Sequence, residues 1–148
     1  MSGYFEIGIN NGKTEHNIGT LWRSAYQLGT SGIFTIGRRY NKQSSDTYNV
    51  PDQIPLREYL TFEEFINNRP KGSILIGVEF GGTELIHFIH PKKCLYILGS
   101  EDNGLSRYTM DKYNEIVSIP SVREYSYNVA MAGTIVMYDR YIKGLKKG

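Results

Sequence analysis

Three separated stretches of the chain combine small residues with polar side chains that can bind a ligand or stabilise charge. Asn17 and Arg23 lie six residues apart in the first stretch, Glu101 lies in the second, and Ser126 and Asn128 lie in the third. The Arg23 guanidinium is a fork of hydrogen-bond donors that suits a phosphate or a developing alkoxide. Serine and asparagine side chains both donate and accept hydrogen bonds. Polar residues placed in this way predict a ligand cleft.

The surrounding residues predict that these side chains lie at turns between buried strands and helices. The second and third stretches each have the pattern of an apolar strand, a turn of small residues and a helix. The strands LYILG and SILIGV lack strict polar–apolar alternation, which is typical of strands buried on both faces. Strands that alternate with helices favour an α/β fold with a parallel sheet between two helical layers. Ligand clefts in such folds lie at the carboxyl ends of the strands.

The predicted elements form one domain over residues 1–148. Strands are predicted over residues 4–10, 32–37, 73–80, 95–100 and 115–120. Helices are predicted over residues 17–28, 61–68, 105–113 and 128–143, and residues 38–55 are predicted to form a long polar loop. Neither the G-x-G-x-x-G dinucleotide pattern after the first strand nor the P-loop pattern is present.

Composition and charge are those of an ordinary globular domain. The net charge of +2 neither requires nor excludes a nucleic acid partner. The single cysteine, Cys94, excludes an intramolecular disulfide and favours a reducing compartment. Because we find no secretion signal and no membrane-spanning apolar run, we expect a cytoplasmic protein. His87 and His90 lie three residues apart but lack an evident third ligand, so we predict no metal site.

Taken together, the three stretches resemble the signature motifs of SpoU/TrmH-type RNA 2′-O-ribose methyltransferases, a branch of the SPOUT class. The first family motif is an Asn, then a small residue and an Arg. The second is Leu-Gly-x-Glu followed by Gly-Leu-Ser, and the third is Ile-Pro followed by Ser-x-Asn-Val. The matching residues are Asn17, Gly19, Arg23, Leu98, Gly99, Glu101, Gly104, Leu105, Ser106, Ile119, Pro120, Ser126, Asn128 and Val129. Three motifs in the right order are far more specific than any one of them.

This resemblance implies an α/β/α sandwich with a deep trefoil knot in its C-terminal half, bound S-adenosylmethionine and a homodimer. It also implies the minimal form of the family, a catalytic domain without an added RNA-binding domain. The implied catalytic residues are Asn17, Arg23, Glu101, Ser126 and Asn128. The implied cofactor-binding residues are Ile76, Gly77, Gly99, Ile119, Ser126 and Tyr127. We expect RNA to contact Arg23, Arg38, Arg39 and Lys42.

The implied activity is S-adenosylmethionine-dependent methylation of an RNA ribose, with tRNA favoured over rRNA as the substrate. Two alternatives stay open: a catalytically silent RNA-binding relative with the same fold, and a flavodoxin-like binding or signalling domain.

The role of Arg23 is also open between a general base and a stabiliser of the developing alkoxide, and the high pKa of a guanidinium favours the second. Taken singly, Asn17, Ser126 and Asn128 would each be typical helix N-caps.

Overall fold

The chain forms one parallel sheet of six strands with helices on both faces, across the residues that the computed structural model describes (3–11, 15–37, 53–99, 105–123 and 125–147). The strands are β1 (Tyr4–Asn10), β2 (Gly32–Ile36), β3 (Leu56–Tyr59), β4 (Ile74–Glu84), β5 (Lys93–Leu98) and β6 (Glu115–Ser118). The α-helices are α1 (Glu15–Gln27), α2 (Phe62–Asn68), α3 (Arg107–Met110) and α4 (Val129–Lys147), and Leu85–His87 forms a short 3₁₀ helix.

The strand order is β3-β2-β1-β5-β4-β6, and every neighbouring pair is parallel. In register, Ile7 of β1 pairs with Ile33 of β2 on one side and with Tyr96 of β5 on the other. This topology confirms the predicted α/β class. Because all strands run in one direction, their carboxyl ends lie along one edge of the sheet, which we call the carboxyl edge, and their starts lie along the amino edge.

Each face of the sheet carries its own hydrophobic core, and β5 contributes to both. Cys94, Tyr96 and Leu98 join the core beneath α1 and α4, whereas Leu95 and Ile97 join the core beneath α2. Successive side chains of a strand point to opposite faces. All five are buried, so the strand needs apolar residues at every position rather than at alternate ones. Burial on both faces therefore explains why the apolar run in the sequence lacks alternation.

The last helix, α4, packs against α1 even though the strand before it lies at the far side of the sheet. Residues 119–128 lead from β6 back to α1. Ser24 Oγ and Thr134 Oγ1 lie 2.8 Å apart across the helix pair. The helices come close because residue 133 is a glycine: a Cβ on Gly133 would lie 2.6 Å from Leu21 Cδ1. Since both helices follow parallel strands, their N-termini lie together at the carboxyl edge.

A buried hydrogen-bond network joins β5 to the C-terminal half of α4. His90 Nδ1 lies 2.7 Å from Tyr96 Oη, and His90 Nε2 lies 2.7 Å from Asp139 Oδ2. Arg140 donates to Tyr96 Oη at 3.0 Å, and we assign the imidazole hydrogen to Nε2, which donates to Asp139, so that Nδ1 accepts from Tyr96. Lys143 adds a 2.8 Å ion pair to Asp139. Burial lowers the pKa of His90, so the network holds a neutral imidazole.

The structure adds one strand to the five that the sequence predicts and moves several boundaries. The added strand, β3, has exposed Arg57 and Glu58 and a buried Tyr59, so it lacks the apolar run that marks the other strands. β4 continues beyond the predicted end at residue 80, because its pairing with β6 resumes at Thr83 after an irregularity. Helix α3 covers only part of the predicted helix 105–113. Most of the predicted loop 38–55 lies outside the described residues.

Candidate active site

Asn17 and Asn128, from the first and third motifs, meet at the carboxyl edge. Asn128 Nδ2 donates a 3.0 Å hydrogen bond to Asn17 Oδ1, across 111 positions of the sequence. Asn17 is only 9% exposed, so its amide oxygen depends on protein donors more than on water. Leaving a buried acceptor unsatisfied costs about 1–3 kcal/mol. This hydrogen bond therefore fixes the starts of α1 and α4 relative to each other.

Asn128 also serves as the N-cap of α4. Its Oδ1 accepts a hydrogen bond from the Met131 amide at 3.2 Å, and its carbonyl oxygen accepts one from the Ala132 amide at 2.8 Å. One side chain thus caps the helix through its oxygen and contacts Asn17 through its nitrogen. The capping role and a role in the site are therefore compatible, and the same rotamer satisfies both.

Arg23 lies on α1, six residues beyond Asn17, on a different side of the helix from the α4 contact. The side facing α4 holds Asn17, Leu21 and Ser24, at the four- and three-residue steps that align side chains on a helix. Arg23 falls outside that row, and its side chain is exposed. The guanidinium therefore reaches the protein surface instead of the space between the two helices.

Ser126 and Tyr127 lie at the end of the exposed loop that leads from β6 to α4. Both residues are exposed, and Ser126 is two residues before Asn128. Tyr127 Oη donates a 2.9 Å hydrogen bond to the carbonyl oxygen of Pro120, so the end of the loop is tied to its start. This contact holds the third motif as one compact unit.

Gly99 and Ile119 lie directly beyond the carboxyl ends of β5 and β6. Both are half-buried, and Ile119 packs against the core beneath α1 and α4. β4 lies between β5 and β6, so Gly99 and Ile119 lie on either side of β4. The arrangement brings backbone from the second and third motifs to the carboxyl edge, where α/β proteins bind their ligands.

Ile76 and Gly77, in contrast, lie within β4, between β5 and β6. Ile76 is fully buried in the core beneath α1 and α4. A Cβ on Gly77 would lie 2.9 Å from side-chain atoms of both Ile116 and Leu105, so a larger residue would disturb the packing there. Core packing alone explains both residue types, and their contact with a cofactor stays a prediction.

Four predicted site residues lie outside the described residues. These are the motif residue Glu101 and the predicted RNA contacts Arg38, Arg39 and Lys42. Their roles also stay predictions.

One polar residue at the carboxyl edge, Glu79, was missing from the predicted site. Glu79 Oε2 accepts a 2.8 Å hydrogen bond from the Leu105 amide, and Oε1 accepts one from the Phe80 amide at 2.9 Å. Glu79 thus fixes the backbone of the second motif at Leu105. The sequence contains a signal for it, since an acidic residue directly follows the buried part of a strand, in the run SILIGVEF.

The remaining histidine and cysteine side chains have structural surroundings. Among the described residues, no three His, Cys, Asp or Glu side chains are grouped so that they could hold a metal ion. His87 is exposed, whereas His90 belongs to the buried network of Asp139. Cys94 is buried in the core, as predicted, and burial raises the pKa of its thiol. Nor do the described ranges contain a helix long and apolar enough to span a membrane.

Comparison with known proteins identifies relatives over nearly the whole chain. Residues 5–138 match the SpoU rRNA Methylase family. An uncharacterized tRNA/rRNA methyltransferase of Mycobacterium bovis is 25% identical over 138 residues, which cover 88% of this chain and 43% of the relative. The chain spans about half the length of the curated relatives it matches, with shares of 43% to 54% of their length.

Solved structures share the fold. The SpoU methyltransferase AviRb from Streptomyces viridochromogenes, in complex with AdoMet, matches with a TM-score of 0.85 at 23% identity, over 98% of this chain and 59% of AviRb. A structure that concerns 2-OH methylation of C/U34 on tRNA matches with a TM-score of 0.82 at 20% identity, over 96% of this chain and 98% of that one. The match over residues 5–138, with the three motifs and the parallel sheet, shows that the chain belongs to the SpoU family of RNA methylases.

Proposed function

We propose that this protein is an S-adenosylmethionine-dependent RNA 2′-O-ribose methyltransferase. The hydrogen bond between Asn128 and Asn17 is the observation that carries the proposal, because it joins the first and third motifs at the carboxyl edge. Gly99 and Ile119 lie at the strand ends along that same edge. Arg23 is exposed on α1, six residues beyond Asn17.

We assign the cofactor to the carboxyl edge at the ends of β5 and β6. S-adenosylmethionine supplies a methyl group bound to a positively charged sulfur. The residues present suit it: Gly99 exposes backbone without a side chain, Ile119 offers an apolar surface, and Ser126 and Tyr127 offer hydrogen-bonding groups. The AdoMet-bound relative AviRb, which shares the fold, supports this assignment.

The chain's residues would position the ribose and stabilise charge. Methylation would join the methyl group to the ribose 2′-oxygen, would break its bond to sulfur to leave neutral S-adenosylhomocysteine, and would release the hydroxyl proton. Positioning alone can supply about 7–11 kcal/mol in the best cases. In this proposal Arg23 donates hydrogen bonds to the target phosphate or to the developing alkoxide. Ser126 and Asn128 hydrogen-bond the ribose, Asn17 positions Asn128, and Glu101 fixes its loop.

The proposed substrate is RNA, with tRNA favoured over rRNA. The family description names rRNA, and the M. bovis relative is named for both tRNA and rRNA. The relative whose structure concerns C/U34 on tRNA supports tRNA, because it aligns with this chain over nearly its whole length. Arg38, Arg39 and Lys42 would neutralise RNA phosphates, so binding should weaken as salt concentration rises.

A homodimer is part of the proposal, with α4 in the contact surface. Met131, Tyr138 and Leu145 recur at seven-residue steps on α4 and are each more than half exposed, at 55%, 54% and 58%. This spacing places all three on one side of the helix. A row of exposed apolar side chains on a folded domain commonly marks an interaction surface.

The trefoil knot, the single domain over residues 1–148 and the cytoplasmic location also belong to the proposal.

The experiment is methyl transfer from tritiated S-adenosylmethionine to bulk tRNA, and separately to rRNA, from a strain that lacks the gene. We expect label in 2′-O-methylated nucleotides of one pool. Arg23→Ala should lose most of this activity, at least about 100-fold, because a positioned charge stabiliser is removed. Lys92→Ala is the control: it also removes one exposed positive charge, but at the amino edge, and it should retain activity.

The outcomes separate the proposal from its main alternative. Label in either pool that depends on Arg23 supports the ribose methyltransferase and identifies its class of substrate. RNA binding without cofactor binding and without label would contradict the proposal in favour of the catalytically silent relative. Label that appears on a base instead of a ribose would keep the methyltransferase but overturn the 2′-O assignment.

A further inference from the structure

The loop between β6 and α4 exposes two large apolar side chains beside the proposed site. Tyr125 is 91% exposed and Val122 is 95% exposed. Both lie within six residues of Asn128, the residue that joins the third motif to the first. Neither side chain contributes to the two hydrophobic cores. An aromatic ring that the fold leaves outside is free to contact a ligand.

Two hydrogen bonds hold the backbone of the loop that carries this ring. Tyr127 Oη donates to the carbonyl oxygen of Pro120 at 2.9 Å, which closes the loop at its base. Within it, Ser121 Oγ donates to the carbonyl oxygen of Arg123 at 2.8 Å. Ordering a contact surface before binding lowers the entropy that binding costs. The loop therefore holds Tyr125 ready for a partner.

Tyr125 has a backbone conformation that aromatic residues seldom adopt. Its φ is +87°, and the other non-glycine residue with positive φ in the described part of the chain is Asn11, at +59°. Asparagine tolerates this region, whereas a bulky residue there is a genuine outlier. Glycine would suit this backbone better and would provide no ring. Such outliers cluster at functional sites, because the strain persists only where the surrounding structure enforces it.

The residues around Tyr125 indicate which kind of partner its ring contacts. Arg123 lies two residues before Tyr125 and Ser126 directly follows it, and both are exposed and polar. Two apolar side chains offer far less than the roughly 800 Å² per partner of a standard protein interface. A single exposed ring with an arginine two positions away in the sequence instead suits one flat, weakly polar group attached to phosphate. Unpaired RNA bases bind in this way, by stacking on aromatic rings while cations contact the backbone.

We infer that Tyr125 stacks on an unpaired base of the substrate RNA and so favours RNA that is single-stranded at the position Tyr125 contacts. The inference rests on the proposed function for its choice of RNA as the ligand. Tyr125 acts here as a specificity residue, and the reaction itself belongs to the residues of the three motifs.

The test compares two probes at one salt concentration: a fluorescein-labelled oligouridine, and the same strand paired with oligoadenine. We expect the wild type to prefer the single strand. Tyr125→Gly should weaken single-strand binding by about 5- to 150-fold, the effect of losing one stacked base, and leave duplex binding unchanged. Tyr125→Phe keeps the ring and should bind the single strand like the wild type. Ile89→Ala, at a 75% exposed residue before β5, is the control and should change neither affinity.

Two further measurements on Tyr125→Gly exclude a merely structural role. Its melting temperature should stay the same or rise, because glycine relieves the positive φ. Its affinity for S-adenosylmethionine should be unchanged. Equal loss for both probes, unchanged single-strand binding, a wild type without single-strand preference, lost cofactor binding or a lowered melting temperature would each overturn the inference. If the wild type methylates neither RNA pool but its single-strand preference depends on Tyr125, the inference stands and the proposed enzymatic function fails.

Discussion

At the scale of single residues, Asn128 shows how one side chain can serve both the fold and the site. Its amide oxygen caps α4 through the Met131 amide, and its amide nitrogen contacts Asn17. Substitution with alanine would remove both interactions together and could not separate them. Aspartate, by contrast, is a good N-cap of the same shape that lacks the donor.

We predict that Asn128→Asp separates the two roles. The variant keeps the cap and should lose only about 1–3 kcal/mol, from the unsatisfied Asn17 oxygen, whereas Asn128→Ala should lose about 0.5–2 kcal/mol more because the cap is gone as well. Methyl transfer should fall sharply in both variants, because neither can donate to Asn17. Urea unfolding and the labelling assay on the same preparations give the two quantities. An Asn128→Asp protein with wild-type activity would show that the contact with Asn17 is dispensable.

At the scale of elements, the packing of α4 on α1 decides where the site residues lie. Gly133 permits this packing, since a Cβ would lie 2.6 Å from Leu21 Cδ1 and 2.9 Å from Leu98 Cδ1. A side chain here must displace the ends of both leucine side chains. We expect a bulky, branched side chain to strain the contact between the helices as well and so to disturb the hydrogen bond between Asn17 and Asn128.

We predict that Gly133→Val destabilises the protein by about 1–3 kcal/mol and reduces methyl transfer. The double variant Leu21→Ala/Gly133→Val should lose less than the sum of its two single variants, because the shortened Leu21 makes room for the valine. Thermal unfolding of all four proteins measures this coupling. Strictly additive losses would mean that the valine acts through helix propensity instead of through the contact with Leu21.

The same scale shows what the sequence could and could not predict. Buried apolar runs predicted the central strands, and spacing and stop signals predicted α1 and α4. β3 lacked such a signal, because two of its four residues are exposed and charged. The order of strands in the sheet has no local signal, so the hydrogen bond between Asn17 and Asn128 was not predicted, although both were expected in the site. The role of Glu79 depends on its contact with Leu105, which no pattern within SILIGVEF specifies.

At the scale of the whole molecule, the buried network near the start of β5 links stability to pH. Burial lowers the pKa of His90. The Asp139 carboxylate opposes this by raising the pKa, and the positive charges of Arg140 and Lys143 lower it further. The unfolded chain, with a histidine pKa of about 6.5, therefore binds a proton more readily than the folded one. Protonation would also place a hydrogen on Nδ1, which in the assigned tautomer accepts from Tyr96, so this hydrogen bond would have to reverse its direction.

We predict that stability is greatest above about pH 6.5 and declines as the pH falls below that value toward the lowered pKa of His90. Urea unfolding at several pH values between about 5 and 7.5 measures the decline. His90→Gln should flatten the curve in this window, although its stability will be lower throughout. The exposed His87 provides the matched control, since His87→Gln should leave the curve unchanged. A wild-type curve without slope here would contradict the assignment.

The path of residues 119–128 from the outer strand back to the first helix has a consequence for synthesis of the chain. The two contacts that join α1 to α4 each span at least 110 positions, from Ser24 to Thr134 and from Asn17 to Asn128. While the ribosome is still translating, the earlier strands and helices can associate, but half of the site does not yet exist. In the proposed function, catalytic competence would then arrive only when α4 docks on α1, so activity would report that this contact has formed.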